Sequence, residues 1–258
     1  MYLDGEVIAF GGIGEVSTKP TFRNRGLAKV LLHKSVEFMK TKQIVISGLH
    51  TGSSAPLYAS LGWCSKDRLF VHRSVASFLT FAIPESFTAN FKIRPSNVSN
   101  NDELAALVQL QNMYSSHFNG PFVRDEDYWK SWIFKEIGQS SHYVIENVES
   151  KQVIGFLHLD TKTRKFPETL LVVRDFAVSE NLFGEDRGRV AFYAMAQQAL
   201  QAHKDAQLIR YPAPLFQEWD STADTHIEAD TGTMYRVIDA SLQVHGKELQ
   251  EVVASMNP

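Results

Sequence analysis

The stretch from Ile13 to Met39 constrains the fold most. Ile13–Ser17 reads as a strand, paired with a first strand at Val7–Phe10. Lys19 to Gly26 is a loop punctuated by Pro20 and Gly26. Beyond it Ala28, Leu31, Leu32, Val36 and Met39 recur at helical spacing, while Lys29, His33, Lys34, Glu37 and Lys40 take the other face. Ile44–Ser47 then returns as a short β-branched strand. A strand that feeds a loop, an amphipathic helix and another strand predicts layered α/β architecture.

The same alternation continues. Pro56–Leu61 predicts a short helix with proline in its first turn and Gly62 at its end. Arg68–Val75 and Phe78–Ile83 read as a strand pair. Pro84–Asn90 is the predicted domain boundary, giving domains at 1–84 and 91–258. After it the pattern restarts with a strand at Phe91–Arg94 and helices at Asp102–Phe118 and Asp125–Ile137, the second with Tyr128, Trp129, Trp132, Ile133 and Ile137 inward. Strands follow at Tyr143–Val148, Val153–Leu159 and Leu170–Val178, then a helix at Arg189–His203 and strands at Gln207–Tyr211 and Thr233–Ala240. Asp220–Gly232 is polar and reads as a loop.

The chain repeats itself. Val16-Ser17 precedes Arg25-Gly26 and a helix; Val178-Ser179 precedes Arg187-Gly188 and a helix at the same spacing. Two copies of one α/β unit are therefore expected. The 258 residues suffice for one large domain or two small ones.

Composition excludes several classes. With 26 Lys and Arg against 29 Asp and Glu, the net charge is −3, which argues against a general nucleic-acid binder. No apolar run reaches about 18 residues, so no membrane partner is expected. No secretory signal is read at Met1–Glu6, and cytoplasmic residence is the default expectation. The single cysteine, Cys64, excludes an internal disulfide framework and a multi-cysteine metal site; it reads as a small core residue. The nine histidines show no metal-ligand spacing, so no metal is expected. Gly12-Ile13-Gly14 lacks the third glycine of a dinucleotide fingerprint, and Gly52-Ser53-Ser54 only approaches a nucleophile elbow.

The chemistry-bearing segment is Arg23-Asn24-Arg25-Gly26-Leu27-Ala28. A helix start carries unsatisfied N–H groups and partial positive charge, which suits a diphosphate. Gly26 lets a ligand approach the backbone, Ala28 keeps the first turn small, and Arg23 and Arg25 supply positive charge.

This segment resembles the diphosphate-binding pattern of the GNAT acetyltransferases: Gln or Arg, two residues, Gly, one residue, Gly or Ala. Glu15–Ala28 looks like that family's fourth strand running into its central helix. Leu57-Tyr58-Ala59-Ser60-Leu61-Gly62-Trp63 looks like its tyrosine-bearing helix with a closing Gly-aromatic pair. The resemblance implies an α+β, three-layer fold of the acyl-CoA N-acyltransferase type: a mixed, mostly antiparallel central sheet flanked by helices, in two copies. It implies acetyl-CoA as cosubstrate, bound by Val16, Ser17, Thr18, Arg23, Asn24, Arg25, Gly26, Leu27, Ala28 and Ser54. Ser53 and Ser54 stand where the family often has an Asn.

In the implied reaction an amine attacks the thioester directly and Tyr58 protonates the leaving thiolate. Glu15, on the expected fourth strand, or His50, at the end of the next, would take the amine's proton. The acceptor is a small-molecule or peptide amine. The first copy enters the family pattern near its third strand, so it is expected to be truncated. The alternative reading is a non-catalytic CoA-binding or interaction module, and a homo-oligomer could complete the sheet. In the second copy Arg23 is matched by Glu185, Gly26 by Gly188 and Ala28 by Val190, and Tyr58 by Asp220, so that copy is expected to be degenerate and to bind no CoA there.

Overall fold

The computed structural model describes residues 1–137, 141–162, 169–213, 225–238, 243–244 and 247–248. The first elements are β1 (Tyr2–Leu3), β2 (Glu6–Val7), β3 (Phe10–Gly12), α1 (Leu27–Thr41), β4 (Ile46–His50), α2 (Ala55–Ala59), β5 (Cys64–Ser65) and β6 (Arg68–Ser74). Then come α3 (Val75–Phe78), α4 (Glu85–Asn90), β7 (Phe91–Pro95), α5 (Asn101–Ser115), α6 (Glu126–Tyr128), a π turn (Trp129–Ile133) and α7 (Phe134–Ile137). The remainder holds β8 (His142–Asn147), β9 (Val153–Lys162), β10 (Thr169–Val178), α8 (Glu185–Ala202), β11 (Ala206–Pro212), β12 (Thr225–Asp230) and β13 (Thr233–Val237).

Two compact units form. The first is Met1–Arg68, Ser116–Val123 and Ala229–Pro258; the second is Leu69–Ser115 and Arg124–Glu228. They are not the contiguous stretches 1–84 and 91–258. Residues 69–84 fold into the second unit, and β13 is recruited into the first unit's sheet from far along the chain. Pro84–Asn90, read as a linker, is largely the helix α4.

The first unit's sheet runs β3-β4-β13-β5. β3 and β4 are parallel, Phe10 opposite Ile46 and Gly12 opposite Gly48. β13 lies antiparallel to β4, with Thr233 opposite His50. α1 covers one face through buried Leu32, Val36 and Met39, one apolar stripe at helical spacing. Leu49, Tyr58, Leu61, Trp63 and Met234 complete that core. On the other face Met1, Leu3, Val45 and Ile46 form a second cluster.

The second unit's sheet has seven strands, β12-β6-β11-β10-β9-β8-β7. β10 and β11 pair in parallel only as far as Val172 opposite Arg210. β10 then continues against antiparallel β9 to Val178 opposite Gly155. In the first unit the parallel pairing likewise ends at Gly12, with one more bond from the Ile13 N–H to the Gly48 carbonyl (2.9 Å). Both units thus hold a strand–helix–strand core whose parallel strands part at their carboxyl ends. The mixed, mostly antiparallel sheet with flanking helices is the α+β architecture expected.

Several local expectations fail for identifiable reasons. Ile13–Ser17 is not a strand: Glu15 is left-handed (φ 53°), which interrupts any ladder. Phe78–Ile83 is not a strand either. Ser74 caps α3 by accepting from the Ser77 N–H (3.1 Å), and Phe78 is buried against Tyr193 (ring centroids 4.4 Å). Trp129 and Ile133, four residues apart in the π turn at Trp129–Ile133, are buried, while Trp132 within it and Tyr128 before it are exposed. The Ile137 side chain lies outside what the structure describes. Residues 225–230, expected in a loop, form β12. Cys64 is exposed, not core, because β5 is a short sheet edge.

Candidate functional site

α1 begins at Gly26, which is left-handed (φ 74°); no side chain caps the helix and no acidic residue sits in its first turn. Asn24 is also left-handed (φ 60°). A Cβ at Gly26 would meet nothing within 4 Å, so the approach to the helix start is open. The left-handed backbone there selects glycine. The Arg23 Nε donates to the Thr18 carbonyl (3.2 Å) and the Arg25 Nη2 to the Thr21 carbonyl (3.4 Å). The Arg25 guanidinium also lies over the Phe22 ring (5.3 Å). Arg23, Asn24, Arg25, Gly26 and Leu27 are exposed and Ala28 is half-buried. The six residues singled out for a diphosphate therefore gather at one open, positively charged helix start, which fits such a group.

Glu15, Val16, Ser17 and Thr18 lie past the end of β3, in a loop and not on a strand edge. Glu15 and Ser17 are exposed. Val16 packs beside the α1 core, and the Thr18 carbonyl is taken by Arg23. Tyr58, on α2, is buried with its ring edge-on to Trp63 (6.2 Å). Trp63 Nε1 donates to the Ser47 hydroxyl (3.3 Å), which anchors this pair on β4. Ser54 is the exposed residue before α2, and its N–H donates to the Thr51 hydroxyl (3.1 Å).

His50 has a partner that sequence reasoning missed. Its Nε2 lies 3.2 and 3.3 Å from the two carboxylate oxygens of Asp230, which also accepts the Gly232 N–H (3.0 Å). Burial pushes the Asp230 carboxyl up, yet the Gly232 N–H and His50 hold it below its usual range. Arg236, on β13, donates to the Leu61 carbonyl and lies over the Trp63 ring (5.0 Å). The Asp230-Thr231-Gly232 turn between two short strands was the available signal for these contacts.

In the second unit the matched loop is shorter. α8 starts at Glu185 after Gly184 (φ 132°), so Gly188 sits inside the helix with its N–H on the Gly184 carbonyl (2.9 Å). The pairing of Gly26 with Gly188 is therefore out of register, and the structural counterpart of Gly26 is Gly184. Asp220 lies outside the described residues. This unit also buries a polar row. Asp175 accepts from Arg124 (2.8 Å) and lies 3.8 Å from His158, whose ring meets His142 at 4.1 Å. Burial pushes His158 down and, with His158 beside it, drives His142 down to about 3. Burial raises the Asp175 carboxyl, but Arg124 and His158 bring it below its usual value.

Among the described residues no group of three His, Cys, Asp or Glu could hold a metal ion, and no helix is long and apolar enough to cross a membrane.

The fold is that of the GCN5-related N-acetyltransferases. A structure of that class from Anabaena variabilis ATCC 29413 superimposes with TM-score 0.67 and 16% identity, covering 92% of this chain and 57% of its own. One from Kribbella flavida gives 0.65 and 17%, covering 92% and 54%. A tandem GNAT protein from the clavulanic acid biosynthesis pathway gives 0.54 and 11%, covering 90% and 76%. More narrowly, residues 1–65 match the family model described as "Acetyltransferase (GNAT) domain". The chain spans just over half the length of the first two structures. No curated protein matches it.

Proposed function

We propose that the chain is a GNAT-type N-acyltransferase that uses acetyl-CoA and acetylates a primary amine, with its working site in the first unit. The observation that carries this reading is the open start of α1 at left-handed Gly26, flanked by Arg23 and Arg25, inside the segment that matches the family model. Bound acetyl-CoA would supply an activated thioester. Arg23, Arg25 and the first-turn N–H groups of Leu27 and Ala28 hold the diphosphate, the arginines exchanging loop carbonyls for phosphate oxygens. Val16, Ser17 and Thr18 line the opening past β3, and Ser54 stands beside α2.

The amine attacks the thioester carbonyl carbon, forming the C–N bond; the C–S bond breaks and the thiolate leaves. Tyr58 delivers a proton to that sulfur. Its ring, packed against Trp63, is held in one orientation. The amine's proton passes to Glu15 or to His50. The Asp230 carboxylate beside His50 favours His50, because it orients the imidazole. Glu15 has no comparable anchoring.

Free-thiol release from acetyl-CoA over an amine panel tests the proposal. Release with at least one amine, reduced about tenfold or more by Tyr58→Phe while CoA affinity holds, is expected. Binding without release on any amine supports the alternative, a CoA-binding module without catalysis.

A further inference from the structure

A strand from far along the chain holds the corner that carries Tyr58. The Tyr58 carbonyl accepts the N–H groups of both Leu61 (3.0 Å) and Trp63 (3.1 Å), so the 61–63 corner that closes α2 and the tyrosine's own turn move together. Gly62, in that corner, is left-handed (φ 90°). Arg236 of β13 lies along it. The Arg236 Nη1 donates to the Leu61 carbonyl, and the guanidinium lies over the Trp63 ring at 5.0 Å. A Cβ on Gly62 would stand 3.5 Å from the Arg236 Nε. Directly opposite Arg236 in the ladder is Ser47 of β4, whose buried hydroxyl accepts from Trp63 Nε1 (3.3 Å). One cross-strand pair therefore fixes the indole twice, through its face and through its N–H. The indole in turn meets the Tyr58 ring edge-on at 6.2 Å.

We propose that Arg236 is a positioning residue for the acyl transfer, an inference that rests on Tyr58 being the proton donor. Among the described residues no carboxylate lies in ion-pair reach of Arg236, although the side chain is half-buried. Its contacts are one carbonyl and one ring, both in the corner behind Tyr58. An apolar side chain could cover Trp63 equally well, and burying a charge without an acid partner costs free energy. What only a planar guanidinium does is cover the indole face and donate to the Leu61 carbonyl at once. Arg236 thus holds the 61–63 corner, Ser47 holds the far side of the indole, and the two keep the Tyr58 hydroxyl aimed at the leaving sulfur. A proton donor displaced by about 1 Å loses much of its effect on the rate.

A double-mutant cycle tests this, with thiol release from acetyl-CoA over the amine panel measured for the wild type, Arg236→Gln, Tyr58→Phe and their combination. Arg236→Gln is expected to lower kcat about tenfold or more, to leave KM for acetyl-CoA unchanged, and to have little further effect once Tyr58 is replaced. Arg236→Lys, which keeps a donor for Leu61 but not the planar cover, is expected to recover part of the rate. An equal fractional loss in both backgrounds overturns the proposal, because Arg236 would then act on the fold or on another group. If Arg236→Gln does not fold, Ser47→Ala carries the same cycle. A second readout needs no turnover: fluorine NMR of the full chain carrying 3-fluorotyrosine, with the Tyr58 signal identified by its loss in Tyr58→Phe. Arg236→Gln and Ser47→Ala are each expected to shift or split that signal. No thiol release by the wild type, with the signal still moved, refutes the proton-donor reading and keeps Arg236 as the residue that orients Tyr58. An unmoved signal overturns the positioning role whatever the turnover.

Discussion

His50 and Asp230 meet at 3.2 Å across 180 residues of sequence. The contact exists because β13 enters the first unit's sheet beside β4 and the Asp230–Gly232 turn reaches the end of that strand. Gly232 makes the approach possible: a Cβ there would stand 2.6 Å from the Thr51 carbonyl and 2.8 Å from His50 Nε2. Gly232→Ala is therefore expected to displace the turn and cost about 1–3 kcal/mol of stability. Chemical denaturation checks the cost, and an unchanged midpoint contradicts the packing described.

The buried row in the second unit predicts acid sensitivity. His142 and His158 are held neutral when folded and take up a proton when unfolded below about pH 6.5. Because the unfolded chain then binds more protons, stability is fully present above that pH and falls as pH drops toward about 3 for His142. The slope is about 1.4 kcal/mol per pH unit for each such histidine. Asp175, whose folded pKa is lowered, adds a loss of the same sign at more acid pH. Urea midpoints between pH 7 and 4 measure this. His142→Phe is expected to flatten the slope, and a profile that stays as steep assigns the acid sensitivity elsewhere.

Much of this was legible in the sequence because local signals and tertiary demands agree. The apolar spacing of Leu32, Val36 and Met39 marks α1, and Gly26 marks its start. The strands through Ile46, Ile145 and Val172 stand where β-branched runs put them. What was not legible depends on partners distant in the chain. No periodicity announces that β13 lies beside β4, so Asp230 and Arg236 were missed. Glu15 breaks a strand through its backbone angle, which its type does not advertise. Trp132, within the Trp129–Ile133 π turn, is exposed although its spacing read as inward. The matched Arg-Gly pairs suggested loops of equal length, yet residues 13–26 and 179–184 connect the corresponding elements.

Tyr58 carries two separable roles. Its ring fills the core beside Leu32, Leu61 and Trp63, while its hydroxyl is the proposed acid. Tyr58→Ala is expected to cost roughly 3–5 kcal/mol through cavity formation. Tyr58→Phe is expected to keep the melting temperature nearly unchanged and lose turnover. If both variants lose stability alike, the hydroxyl has a structural partner and the proton-donor role fails.

The central claim is that the start of α1 grips the twin phosphates of coenzyme A. Calorimetric titration of acetyl-CoA into the wild type and into the Arg23→Glu, Arg25→Glu double variant tests it most directly, because both side chains are exposed and their reversal leaves the core intact. The account predicts measurable binding to the wild type and about a 100-fold or greater loss in the variant, roughly the worth of one or two charge-assisted hydrogen bonds. Equal affinity in the two proteins would contradict it.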